Sequence, residues 1–245
     1  TRGRRLWILY GTLGVACAAA ALALVATSDH ERGRLVTLVV GELIGLSFVF
    51  SGLFGAWRRP GNATGRILAG VGFAFYAGAL GESNNSLVFT IGTALQNLFL
   101  AVFVHLLLAY PTGTLATRLE RRIVRAAYVL SIVMPVLYLF VVPVPAGCDS
   151  SCPDNAFLVE DNHGLGVAVE VLASISAAAI FGATLVLLVR RFRSASAAYR
   201  RSLRLVLLAG GATALLFVLQ VLLEPLLPHA GDVVLQSATG IAFLC

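Results

Sequence analysis

Two cysteines, Cys148 and Cys152, stand four positions apart in the stretch CDSSCPDNAFLV (148–159). Thiols at that spacing can close a small disulfide loop, act as a redox-sensing pair, or bind a soft metal. A structural disulfide that stiffens Pro153 and its neighbours is the leading reading, where the compartment permits it. A zinc site would need further ligands, and His163 is the one histidine nearby. Cys17 and Cys245 read as small packing residues. Acids and histidines also meet in Asp29-His30-Glu31, in Glu160-Asp161-Asn162-His163 and at His229 with Asp232. Such groups could take up a divalent metal or respond to pH. They would equally arise wherever arginine is excluded from a surface.

A second set of polar residues is embedded in apolar runs. Glu42, Asn97, His105, Glu170 and Glu224 are the intramembrane candidates, with Gln96 and Gln220 beside them. A polar group in lipid is expensive, so each is either a hydrogen-bond partner between helices or part of a polar cavity that recognises a ligand or carries protons. Packing is the reading for Gln96, Asn97 and Gln220. Glu42 is the first to test for function, with His105 a possible partner. Asn97, Ala101 and His105 stack on one helical face. No catalytic set emerges.

The elements that carry these residues follow from composition. Hydrophobic residues make up 58% of the 245 positions and charged residues 12%, about half the charge of a soluble domain. The fold class expected is all-α and integral to a membrane, a polytopic bundle of about eight transmembrane helices in one input domain, 1–245. Apolar stretches near the 20 residues needed to cross lipid run over 6–27, 35–57, 66–80, 87–110, 126–145, 166–189 and 205–224, with an eighth over 233–245 still incomplete. The third is short and contains Gly70, Gly72 and Gly78, so it should borrow from its flanks. The first is too long for a signal-peptide core and reads as a retained span.

All eighteen basic residues are arginines, and sixteen fall in alternate loops: at 2–5, 58–66, 118–125 and 190–204. Only Arg32 and Arg34 fall on the other side. Positive charge stays on the cytoplasmic face, so the expectation is a plasma-membrane protein with its N-terminus inside and a chain that continues inward past Cys245. The net charge of +6 is thereby topological, and direct nucleic-acid binding is not expected.

Within HLLLAYPTGTLATRLERRIVR (105–125), Pro111 and Gly113 should end span four at the surface. Leu115, Leu119 and Ile123 then recur every four positions, with Arg118, Arg121, Arg122 and Arg125 between them. That pattern suits a short helix in the headgroup layer or a plain anchor before span five, and one helix can serve both. Asn62-Ala63-Thr64 and Asn84-Asn85-Ser86 match the glycosylation pattern by accident; Asn62 and Gly65 read as turn formers between spans two and three.

LLLAYPTGTLATRLERRIV (106–124), with Pro111, Gly113, Arg118, Glu120 and Arg121, resembles a cytoplasmic loop in the N-terminal membrane regions of actinobacterial sensor histidine kinases. AWRRPGNATGRILAGVGFAF (56–75), with Pro60, Asn62 and Gly65, resembles a second loop of that family, and the two-cysteine stretch resembles its outer loop. The spacing of Cys148 and Cys152 is wider than the family's tighter pair. The resemblance implies a membrane sensor domain that relays an extracellular or intramembrane signal to a cytoplasmic kinase outside this chain. It also implies a homodimer, ATP and magnesium in the kinase part, no cofactor in this segment, and a response regulator as partner. The competing class is a small-molecule transporter or channel subunit, whose expected signature is inverted repeats with broken helices; no repeat is apparent. A membrane oxidoreductase would want a second thiol pair or haem ligands.

Overall fold

The computed structural model describes residues 2–31, 34–145, 148, 151–194, 211, 212 and 215. Apart from residues 211, 212 and 215, spans 205–224 and 233–245 lie outside the described residues, as do Gln220, Glu224, His229 and Asp232. Among the described residues all regular structure is helical. Five helices are long and apolar enough to cross a membrane: Ile8–Thr27, Thr37–Arg58, Ser86–Ala109, Arg118–Val141 and His163–Ser194. They are consistent with a multi-pass membrane protein.

Helix α1 (Arg2–Thr27) is rich in alanine and leucine, strong helix formers. Its buried stripe is Ala18, Ala21 and Val25, while Ile8, Leu9, Leu13 and Leu22 stay exposed. Ala18 and Ala21 pack with Val49 and Tyr76. The second stretch begins as α2 (Arg34–Val36), passes through one π turn, Thr37–Gly41, and continues as α3 (Glu42–Arg58). Helix α3 stops where expected. Arg59 precedes Pro60 and leaves helical geometry, with φ −133° and ψ 72°.

Helix α4 (Thr64–Gly78) is only 15 residues long, and a 3-10 turn, Ala79–Glu82, extends it. Gly65 is not a turn former. It lies in the first turn of α4, where any side chain would run into the backbone of Ala56, as one on Gly52 would run into that of Ala69. Glycine here lets two backbones approach closely, the usual device where lipid removes the hydrophobic drive for association. Asn62 does form the turn, its Oδ1 accepting from Thr64 N at 2.8 Å.

The fourth stretch is divided. Asn85 caps α5 (Ser86–Leu95), α6 (Leu98–Ala109) follows, and Gln96 and Asn97 form a turn between them. Tyr110 is extended before Pro111, φ −67° and ψ 142°, so the stretch ends where the proline requires. Of the two readings of the arginine-rich stretch after it, a separate headgroup helix does not form. Thr117 and Glu120 make a reciprocal capping box, and α7 (Arg118–Val141) runs unbroken from the arginines into span five. No breaker stands between Arg125 and Ala126, and the one proline, Pro135, falls further along. Asn162 then starts α8 (His163–Ser194), accepting from Leu165 N at 3.1 Å. At 32 residues, α8 is longer than the predicted 166–189.

The connecting segments gather at two ends. At the arginine-rich end, Asn62 Nδ2 and Thr64 Oγ1 donate to the Pro111 carbonyl at 2.7 and 3.1 Å. At the acid-rich end, Ser28 donates to Glu82, Asn84 Nδ2 to the Thr27 carbonyl and Ser86 to the Asp154 carbonyl. The main core fills the region between α3, α4, α6, α7 and α8, centred on Val71, Val104, Leu107 and Leu108.

Candidate functional site

The polar residues of the acid-rich end are held by backbone geometry before they do anything else. Ser28, fully buried, donates from Oγ to Glu82 Oε2 at 3.3 Å. His30 Nε2 lies 3.1 Å from the Gly81 carbonyl and acts as its donor, and its ring meets Phe89 edge-on at 5.4 Å. Thr37 Oγ1 donates to Glu31 Oε1 at 3.0 Å, and the Arg34 guanidinium donates to the Ser28 carbonyl at 2.5 Å. Burial pushes the Glu82 carboxyl above its ordinary range; the adjacent Glu31 adds to this, while His30 and the Ser28 hydroxyl oppose it.

His30, Glu31, Gly81, Glu82 and Phe89 form one wall of a cavity of about 680 Å³ that reaches from the acid-rich loops down between α6, α7 and α8. Asn97 and Gln96, at the interruption of the fourth stretch, line its middle, opposite Glu170 and Ser174 of α8. Pro135 of α7 also lines it, and its missing N–H denies the Ser131 carbonyl its usual helical donor. Irregular backbone at membrane depth survives where it is buried in protein or faces such a space. Leu100, Val104, Ala127, Ile180 and Phe181 form the apolar lower part.

Cys148 and Cys152 are joined as a disulfide, with Cα atoms 5.8 Å apart, and both line the upper part of the cavity. Behind them Asn155 is buried. Its Nδ2 donates to the Leu139 and Val142 carbonyls at 2.6 and 2.7 Å, and its Oδ1 accepts from Phe157 N at 2.9 Å. One amide thus ends α7 and fastens the two-cysteine loop. Among the described residues no three His, Cys, Asp or Glu side chains converge to hold a metal ion. Nor does the cavity fit ATP with its magnesium: a triphosphate needs cationic side chains or a glycine-rich turn, and no arginine stands among the described residues lining it.

The sequence candidates therefore separate into three places. Asn97, Glu170, Cys148 and Cys152 meet in the cavity. Glu42 does not: Tyr76 Oη donates to its Oε2 at 3.0 Å, tying α3 to α4. His105 is not its partner but faces Tyr128, with Nδ1 and Oη 3.2 Å apart, just below the cavity floor. Gln96 and Asn97, read as packing residues, prove to be cavity residues. At the arginine-rich end, the two motif loops touch through Asn62 and Pro111, and Gly113, at φ 76°, lies against Asn62 and Ala63 with no room for a side chain. Pro60, Arg118 and Arg121 are exposed there. Glu120 is 3% exposed and meets Arg191 of α8, Oε1 to Nη2 at 2.6 Å.

Sequence reasoning missed Arg191, Asn155, Pro135, Ser131 and Tyr128 as members of these sites. A proline within an apolar run was the available signal for the third. The Asn of the two-cysteine stretch was visible too, but not its reach of 13 to 16 positions. Compared with protein-family models, with curated proteins and with solved structures, the chain finds no match.

Proposed function

We propose that the chain is the multi-pass input module of a sensor histidine kinase in a bacterial plasma membrane, with its N-terminus and arginine-rich end in the cytoplasm. The cavity then faces outward and receives the signal, and the arginine-rich end passes the change to a kinase beyond this chain. Eight spans belong to this reading: the five long helices, α4, and the two stretches outside the described residues. ATP and magnesium belong to the kinase part, as does contact with a response regulator, and the working unit is a homodimer.

The observation that carries the reading is an asymmetry of packing. The cavity occupies the acid-rich half, whereas Val104, Leu106, Leu107, Leu108 and Ala109 close the other half with no more than 7% exposure each. A site open at one end and plugged at the other suits reception better than passage. The plug is also where α6, α7 and α8 are cross-tied by Arg191, so a shift around the cavity reaches the cytoplasmic end through three helices at once.

Reporter cysteines test the sidedness. With the native cysteines replaced by serine, Arg121→Cys should react with an impermeant maleimide only after cell permeabilisation, and Glu160→Cys should react in intact cells. Reaction of both from one side would end the proposal. The kinase assignment is tested separately, by autophosphorylation of the full-length protein in membranes with magnesium and ATP; no phosphohistidine would end that part. A second reading, a small-molecule transporter, draws on one observation: the interruption at Gln96 and Asn97 lies within the cavity, where broken helices of transporters hold substrate. Uptake into proteoliposomes separates the two.

A further inference from the structure

The arginine-rich end carries an imbalance of charge that the fold does not correct. The stretches 1–28, 43–81, 83–148 and 171–223 hold sixteen of the eighteen arginines and a single acid, Glu120. That acid is buried, and its carboxylate is taken by Arg191 and by the backbone N–H groups of Ala116 and Thr117. Arg118, Arg121, Arg122 and Arg125 meanwhile stand exposed on the first turns of α7. Arg125 turns its Nε back to the Arg121 carbonyl at 3.3 Å, which leaves its charge uncancelled. At 3.6 residues per turn, these four share one face of the helix with Val129, Ile132, Val133 and Phe140, all exposed as well. The buried Glu120, Val124 and Ala127 mark the opposite face. The exposed face thus has two parts in line, about 10 Å of guanidinium and then about 17 Å of apolar side chain, at about 1.5 Å of rise per residue.

We infer that this face of α7 binds an anionic phospholipid of the leaflet at the arginine-rich end, its phosphate among the guanidiniums and an acyl chain along the apolar residues. The lengths agree, since the hydrocarbon of one leaflet is roughly 15 Å deep, half of the bilayer core. Basic side chains beside a membrane attract anionic headgroups, and one planar guanidinium can donate to two phosphate oxygens at once. A soluble polyanion would use the arginines alone and leave their apolar continuation without a role. The unbroken course of α7 from Arg118 to Val141 puts both parts on one helix and so fixes their register. The inference goes beyond the kinase reading. It requires only that these helices cross a bilayer and holds whichever leaflet the basic end meets, so neither the reporter-cysteine result nor the phosphorylation result bears on it.

The test places the chain in phosphatidylcholine bilayers with a trace of spin-labelled phosphatidylglycerol or spin-labelled phosphatidylcholine, and measures the fraction of label immobilised on the protein. The parent should retain phosphatidylglycerol about fivefold over phosphatidylcholine, and added salt should reduce that preference. Changing all four residues together, Arg118→Gln, Arg121→Gln, Arg122→Gln and Arg125→Gln, should bring it below about twofold. The corresponding four changes to lysine should keep most of it, because the charge remains. Arg59→Gln with Arg66→Gln removes two exposed charges from the same end but off α7, and should also keep most of it. If the fourfold glutamine variant does not fold, Arg118→Gln with Arg122→Gln takes its place and should lose roughly half of the preference. Equal retention of the two lipids by the parent overturns the inference. So does a preference that the α7 glutamine variants keep, or one that the Arg59 and Arg66 pair loses as fully. Glycerol 3-phosphate at millimolar concentration and matched ionic strength tells the two sources of phosphate apart: it should leave the preference unchanged, and its abolishing the preference would mean a site for free phosphate and end the lipid assignment.

Discussion

The Arg191 guanidinium lies 2.6 Å from Glu120 Oε1 and 2.7 Å from the Leu108 carbonyl, so one side chain of α8 joins the first turn of α7 to the last turn of α6. Glu120 is at the same time the capping residue of α7, accepting from the backbone N–H groups of Ala116 and Thr117 at 2.8 and 3.1 Å. Its carboxylate is therefore satisfied on both sides, and removing either partner leaves a buried charge short of a donor.

Replacing Arg191 with alanine should accordingly destabilise the chain by about 2–3 kcal/mol, below the figure for a fully buried pair because the guanidinium is 26% exposed. Thermal unfolding in detergent should show a loss of several degrees. Arg191→Met combined with Glu120→Gln should recover part of it, since the double variant leaves no unpaired charge; a double variant worse than the sum of the singles would disprove the coupling.

Gly113→Ala should cost about 1–3 kcal/mol, the penalty for a side chain at left-handed φ, here 76° against Asn62 and Ala63. Asn62→Ala should cost a comparable amount by removing the donor to the Pro111 carbonyl. The two effects should be less than additive, because each alters the same junction between the motif loops. Unfolding midpoints of the three variants check this.

Asn155→Ala should free the loop that carries the disulfide, at a cost of about 2–3 kcal/mol for two buried carbonyls losing their donor. Asn155→Asp should be worse, because a carboxylate would face the Leu139 and Val142 carbonyls. Limited proteolysis between residues 143 and 162 should be fast in both variants and slow in the parent.

Protonation at Glu82 gives stability a defined sign. Its carboxyl is raised above the ordinary 4.5 by burial first and by Glu31 second, so the folded state holds the proton more tightly than the unfolded chain. The resulting contribution is complete below about pH 4.5 and is lost as pH rises through the raised value. Glu82→Gln, which keeps the uncharged form, should therefore gain on the parent as pH climbs from 4 to 8. A difference that stays constant across that range would show that the Glu82 carboxyl does not titrate against folding.

Much of the architecture is legible because it depends on local or compositional rules. Pro60 and Pro111 end helices through the residue before them, and Asn62 turns the chain with its own side chain two positions on. The grouping of loops at two ends follows the alternation of arginine-rich and acid-rich segments. Gly65 was misread because a glycine that permits a turn and one that permits close helix contact look alike in one dimension. Between a headgroup helix and an anchor running into span five the sequence left the choice open, because four-residue periodicity does not reveal whether a helix continues beyond it.

Composition, hydropathy and charge placement by themselves determined a helical chain whose segments are long and apolar enough to cross a membrane, with a basic and an acidic end, because desolvation and the cost of unpaired backbone act on each segment alone. The tertiary structure decided which polar groups share a space. Glu42 chose Tyr76, 34 positions away, over His105, and Arg191 reached Leu108 across 83 positions. A cavity exists only where several helices fail to fill the volume between them, and that property belongs to their relative placement, not to any stretch of residues.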